Sequence, residues 1–191
     1  MSRTQPLATS ANMRPTPRSW ISRRFRDGNL PEAPWRCRTC DDRAMMTTCR
    51  IRDATPNDLP ALRDLFLSAR LQAFSWLPPG LFHLDDFDLQ TEGERVLVAE
   101  SADRIAGFVS VWEPDHFIHH LFVDVDHLRQ GIGRALLHAL PEWPARHYRL
   151  KCLDRNQTAL AFYRSQGFVE IGRGVGGEGD YVVLSLAPRA T

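Results

Sequence analysis

Gly131-Ile132-Gly133, flanked by Arg129 and Arg134, follows the apolar run Leu121-Phe122-Val123 after a short turn. A strand that ends, turns and starts a helix on two glycines presents backbone N–H groups that have no partner inside the helix. They lie at the positive end of the aligned peptide dipoles. Glycines carry no Cβ to hold an anion away, so such a turn can wrap phosphate oxygens, and the two arginines add charge at its rim. The natural ligand is a diphosphate-containing cofactor. A dinucleotide fingerprint would need a third glycine where Leu136 stands, and no Gly-Lys-Ser/Thr loop is present. Taken alone, a glycine pair opening a helix is more often structural than phosphate-binding.

The second half of the pattern is more specific. Asn156-Gln157-Thr158-Ala159-Leu160-Ala161-Phe162-Tyr163, followed by Gly167-Phe168, reads N-x-x-A-x-x-F-Y-x-x-x-G-F. With both segments in this order, the sequence resembles the GNAT N-acetyltransferase superfamily. Its strand–(Q/R)-x-x-G-x-G/A–helix signature is echoed at residues 128–133, and its next strand–helix pair at 147–168. The resemblance covers about residues 50–186. One position departs from it: Leu128 stands where the family usually has Gln or Arg. Arg129 and Gln130 lie beside it, and a grip made of backbone N–H groups does not depend on that side chain.

The resemblance implies an acetyl-CoA-dependent N-acetyltransferase, with acetyl-CoA as co-substrate, no metal, and an amine of a small molecule, peptide or protein as acceptor. The backbone of Leu121, Phe122 and Val123 is expected to pair with the pantetheine arm. Arg129, Gln130, Gly131, Ile132, Gly133 and Arg134 are expected to hold the pyrophosphate, and Asn156 to lie beside the cofactor. Tyr163 is expected to protonate the leaving thiolate; a phenol with a pKa near ~10 carries its proton at neutral pH. Direct transfer in a ternary complex needs no covalent nucleophile, and Cys152 reads as a packed strand residue.

The base is less determined. Strict alternation along residues 116–123 puts Phe117, His119, Leu121 and Val123 on one face and His120 on the other. His119 stands four residues before Val123, where the similar arylalkylamine N-acetyltransferases carry a catalytic histidine. An imidazole with a pKa near ~6.5 suits deprotonation of an amine. A hydrogen-bonded sheet histidine accounts for the same residue. Glu100 and Glu113, at strand ends, are reserves. Phe74, Trp76, Phe82 and Phe87 fit an acceptor pocket or plain core packing.

These groups need a scaffold, and the patterns predict a mixed α/β (α+β) fold. A mostly antiparallel central sheet is flanked by helices in the order β-α-α-β-β-β-α-β-α-β-β. Thr55-Pro56-Asn57-Asp58 opens a helix on which Leu59, Leu62, Phe66, Ala69 and Ala73 share a face. A short helix is expected over residues 81–89. Strands follow at 96–99, 105–112 and 117–123, a helix from Ile132 to Leu140, a strand over 147–153 and a helix over 157–166. Two last strands, at 168–172 and 181–186, are joined by the glycine-rich residues 172–179, read as a flexible hairpin beside the acceptor site.

Composition sets the outer limits. The 191 residues suffice for one domain of ordinary size. The net charge of +1 hides an asymmetry: residues 1–45 hold nine Arg against four acids, a net of +5, leaving −4 for residues 46–191. The first part, Arg/Pro/Ser-rich, reads as a disordered N-terminal extension, a transit-like peptide or the product of an upstream start, given that Met45-Met46 directly precedes the first strand. The rest, 46–191, reads as the catalytic domain. Cys37-Arg-Thr-Cys40 has half a zinc-site spacing without the other half, so two incidental cysteines is the better account. No apolar run approaches a membrane span, and four scattered cysteines suggest a reducing, cytoplasmic setting. Two other classes compete with the enzyme: a non-catalytic acyl-CoA-binding domain, and a nucleic-acid-associated protein acting through the basic arm. Net charge gives little support to the latter, and a homodimer is compatible with the resemblance.

Overall fold

The computed structural model describes residues 49–186; the N-terminal extension, with Cys37, Cys40 and the Met45-Met46 pair, lies outside them. Strand β1 (Arg50–Asp53) leads into a 3-10 turn, Pro56–Asp58, and helix α1 (Leu59–Ala73). The Asp58 carboxylate holds this entry. It accepts from the Thr55 N–H at 2.7 Å and the Thr55 hydroxyl at 2.8 Å, and from both terminal nitrogens of Arg52 at 2.7 and 2.9 Å. Arg52 also donates to Glu100, at 2.9 Å. Glu100, a reserve base in the sequence, is therefore an ion-pair partner on β2 (Arg95–Ser101).

The second helix is shorter than periodicity suggested. A 3-10 turn spans Pro79–Leu81, Phe82 is extended, and α2 covers only Asp86–Gln90. The extended backbone delivers the buried Phe82 ring to Arg70, whose guanidinium lies 4.4 Å from its centroid. Strand β3 (Arg104–Trp112) follows through a two-residue turn in which Ala102 and Asp103 both have positive φ, the geometry that matches strand twist in hairpins. Next come β4 (Phe117–Val123), α3 (Ile132–His138), β5 (Arg149–Leu153) and α4 (Gln157–Ser165), then β6 (Phe168–Gly176) and β7 (Gly179–Leu186).

The glycine-rich segment is strand rather than loop. Its turn is confined to Gly177-Glu178, and β6 pairs with β7 along its length. Gly174 is glycine because the Tyr181 ring crosses it: a Cβ there would sit 2.5 Å from the phenol.

All seven strands form one sheet in the order β1-β2-β3-β4-β5-β7-β6, antiparallel except for β4 and β5. Each face carries its own core. Leu62, Leu65 and Phe66 of α1 close over Val98, Phe108 and Phe87. On the other face Ile132, Leu136 and Leu137 of α3, with Leu160 and Tyr163 of α4, pack on Val109, Ile118, Leu150, Val182 and Leu184.

Candidate active site

The parallel pair β4–β5 is the irregular place in the sheet. Its ladder covers only Phe117↔Arg149 and Ile118↔Leu150, after which the strands diverge. At the point of divergence β4 is bulged: Ser110 faces His120 and Val111 faces Ile118, so His119 is an extra residue with no partner on β3. The bulge overturns the simple alternation expected from sequence. Ile118, Leu121 and Val123 face the core under α3 and α4. His120 and Phe122 instead face α1, with ring centroids 4.9 and 5.3 Å from Phe66. His119 shares neither set and turns toward Glu94, which receives its Nδ1 on Oε1.

A cleft of about 390 Å³ opens where the strands part. Residues His119–Phe122 of β4 form one wall and Lys151–Leu153 of β5 the other. Asn156, Ala159 and Tyr163 of α4 line it, with Phe66, Arg70 and Phe74 of α1, Gly176–Gly179 and Tyr181 at the remaining sides. The ring of Trp76 lies 5.8 Å from Phe74 and edge-on to it, and Phe87 is sealed in the core under α1, so of the four candidate acceptor aromatics only Phe74 lines the cleft.

Tyr163 is buried between Phe162 and Phe168, with centroids 5.4 and 5.6 Å away. Burial first, then the neighbouring Cys152, pushes its phenol pKa well above the ordinary value, so its proton stays in place at any physiological pH. Such a group can donate and cannot act as an anion. Burial pushes the Cys152 thiol up to about 11 as well, which keeps it an unreactive thiol. The His120 imidazole is pulled down to about 3, chiefly by burial, then by the charges of His119 and Arg70, and stands in the wall as a neutral ring.

The glycine turn lies beyond the C-terminal end of β4. None of residues 129–134 lines the cleft itself. Gly131 takes φ +81°, which only glycine adopts cheaply, and a Cβ there would meet nothing within 4 Å, so the turn is open on that side. Arg129 also has positive φ, at 61°. The first α3 bond is Ala135 N–H to the Gly131 carbonyl, at 2.9 Å. Gly133 has a different reason: its Cβ would press on Phe162 of α4 at 3.2 Å, so that glycine lets two helices approach. The Ile132 side chain belongs to the core. Gln130 Nε2 donates to the Asp126 carbonyl at 3.0 Å. Asn156 lines the cleft, but its Oδ1 caps α4, accepting from Ala159 N–H at 3.1 Å. Leu121 and Phe122 reach the cleft; Val123 packs beside Gly133 instead. Glu113 stands 3.5 Å from Arg95, outside the cleft.

The splayed strand pair β4–β5 and the buried Tyr163 of α4 border one cleft, with the glycine turn beyond the end of β4. Residues 92–170 match the family model described as an acetyltransferase (GNAT) domain. The peptidyl-lysine N-acetyltransferase YiaC of Escherichia coli is 30% identical over 122 residues, which cover 62% of this chain and 82% of that protein. The chain belongs to the GNAT family. N-acetyltransferase 8 of Homo sapiens is 32% identical over 97 residues, 44% of this chain; the chain spans under half of that protein, 43%. Among solved structures, a GCN5-related N-acetyltransferase from Rhodopseudomonas palustris superposes with a TM-score of 0.63 at 19% identity, covering 76% of this chain and 99% of the other. A ribosomal-protein-alanine N-acetyltransferase from Brucella melitensis does so at 0.57 with 27% identity, covering 71% and 98%. The GNAT match takes in β4, the glycine turn and α4 but not α1, so the cleft residues Phe66, Arg70 and Phe74 lie outside it.

This GNAT enzyme is an N-acetyltransferase, and the family generally uses acetyl-CoA. Sequence reasoning missed Arg70 and Tyr181 of the cleft, and Glu94, the partner of His119. Arg70, four residues after Phe66 on one helical face, is buried with its guanidinium 4.7 Å from the Phe66 ring and donates to Asp86 at 2.8 Å. Its signal in the sequence is the four-residue spacing from Phe66, which puts a charged side chain beside the apolar stripe of α1. Tyr181 could have been suspected from the glycines opposite it. Glu94 carried no local signal.

Proposed function

We propose that residues 46–191 transfer an acetyl group from acetyl-CoA directly to an amine held at the α1 side of the cleft. The observation that carries this reading is the split between β4 and β5, with the protonated Tyr163 phenol buried beside it. The cofactor fits what is present. The freed edge of β4 at Leu121, Phe122 and Val123 offers backbone groups to an extended arm, and the open turn at residues 129–134 offers amide hydrogens to its diphosphate. Acetyl-CoA supplies an acyl group on a thioester whose leaving thiol needs a proton.

Each remaining task falls to a residue of the chain. Asn156 fixes the start of α4 and so the reach of Tyr163. His119 takes the proton that the acceptor ammonium must lose before its nitrogen can attack. Tyr163 gives its proton to the departing thiolate. Cys152 takes no part. The acceptor is an amine of a small molecule or peptide, and the cleft that receives it holds Arg70 and Lys151 against Glu178, a mixed set rather than an acidic one.

The test is thiol release from acetyl-CoA by purified full-length protein across a panel of lysine peptides, N-terminal peptides and small amines. Turnover with at least one acceptor, and no release without one, is the expected result. Binding of acetyl-CoA without turnover on any amine would contradict the reading.

A further inference from the structure

We propose that Glu94 is the positioning residue for the base: its carboxylate grips Nδ1 of His119 and turns Nε2 to the acceptor. The proposal rests on the reading of His119 as base. Glu94 directly precedes β2, and its backbone is pinned by its N–H to the Thr91 carbonyl at 3.0 Å. Beside it Gly93 has φ +78° and lies so close to Trp112 that a Cβ would meet the indole at 3.3 Å. The Glu94 side chain is 3% exposed, whereas that of His119 is 41% exposed. Glu94 Oε1 meets His119, and Oε2 is buried without a hydrogen-bond partner among the described residues.

A carboxylate closed off from water is unfavourable unless a cation or strong donor faces it. Here the facing group is the bulged imidazole. A carboxylate only accepts, so Nδ1 must carry the proton, and Nε2 of this cleft-lining residue is left with its lone pair free. The same negative charge stabilises the imidazolium once Nε2 has taken the proton of the acceptor ammonium. The proton moves from nitrogen to nitrogen, and Glu94 keeps its own state throughout. Charged groups on the cleft are Arg70 of α1, Lys151 of β5 and Glu178 of the β6–β7 turn, and the other titratable ones are His120 of β4, Cys152 of β5, Tyr163 of α4 and Tyr181 of β7. Arg70 stands 3.9 Å from the half-exposed Glu178. Of the two carboxylates, Glu94 meets the His119 ring and is shielded from water, whereas Glu178 is half-exposed.

The experiment is an NMR titration of the His119 ring in the full-length protein, assigned by its loss in His119→Gln, combined with pH profiles of kcat/KM. In wild type the ring nitrogens should show the Nδ1-protonated tautomer above the titration; an Nε2-protonated tautomer overturns the proposal without any variant. In Glu94→Gln the His119 titration should move to lower pH by one unit or more. The rising limb of kcat/KM should move with it, while the plateau falls at least tenfold and acetyl-CoA affinity holds. Glu94→Asp, which keeps the charge but draws it back, should shift both by a smaller amount. An unmoved titration in folded Glu94→Gln or Glu94→Asp overturns the Glu94 role alone. If His119→Gln keeps the wild-type limb and rate, His119 itself is not the base, and that reading fails separately.

Discussion

Tyr163 and His119 stand in opposite surroundings: one is stripped of water, the other is the extra residue of a bulge and part-exposed. Burial holds the Tyr163 proton, so removing only the hydroxyl isolates its role. Tyr163→Phe should lower kcat by about 10²-fold or more, the usual range for a lost general acid. Acetyl-CoA affinity by calorimetry should be unchanged; equal kcat would remove the phenol from the mechanism. His120 makes a separate prediction about stability. Its folded pKa, about 3, lies below the unfolded value near ~6.5, so the unfolded chain binds the proton first. Stability should be full above about pH 6.5 and decline as pH falls toward 3. At pH 5 the deficit is about 2 kcal/mol, measurable as a lower denaturant midpoint and reduced in His120→Gln. Asp58, whose carboxyl Arg52 holds well below the ordinary range, acts in a different window: its contribution is present above about pH 4 and is lost only below it.

At the level of elements, the decisive feature is how closely β3 approaches β4 before β4 leaves β5. Gly107 makes that approach possible, since a Cβ there would stand 2.8 Å from the Phe122 carbonyl oxygen and 3.2 Å from Ile132. The first neighbour is backbone and cannot swing aside. Gly107→Ala should therefore cost about 1–3 kcal/mol, seen as a lower Tm, and should weaken acetyl-CoA binding by shifting the β4 edge. An unchanged Tm would mean that the strands tolerate separation there. The elements themselves were largely readable. Thr55-Pro56 marks the 3-10 turn that leads into α1 at Leu59, and the β4 bounds and the α4 start at Gln157 follow from local patterns. The bulge did not, because it is a mismatch between two strands and leaves no mark on either alone. Sequence places a strand at 168–172 and a hairpin over 172–179, whereas β6 runs on to Gly176; the ring that makes Gly174 necessary comes from β7.

For the whole molecule, net charge proved a poor guide to the site. Residues 46–191 carry a net of −4, yet the cleft holds two cations and one carboxylate, because folding gathers residues without regard to the average. Among the described residues no helix is long and apolar enough to cross a membrane, and no cluster of three or more His, Cys, Asp or Glu is placed to hold a metal. Every group invoked in catalysis lies between Glu94 and Tyr163, so the basic extension should be dispensable for chemistry. A chain beginning at Met46 should keep kcat and KM within about twofold of full length when the two proteins are assayed side by side. Loss of turnover in a folded truncation would give residues 1–45 a catalytic or binding role.

The order of strands and helices, the glycine turn and the N-x-x-A-x-x-F-Y helix were determined by the sequence itself, since each depends on residues a few positions apart. Tertiary structure alone decided that His119 would stand outside the alternation of β4. It also decided that Glu94 would be buried behind it and that Arg70 would lie between Phe66 and Phe82. These pairings join residues far apart in the chain, and their energies come from excluded water and shared space, which no local pattern records.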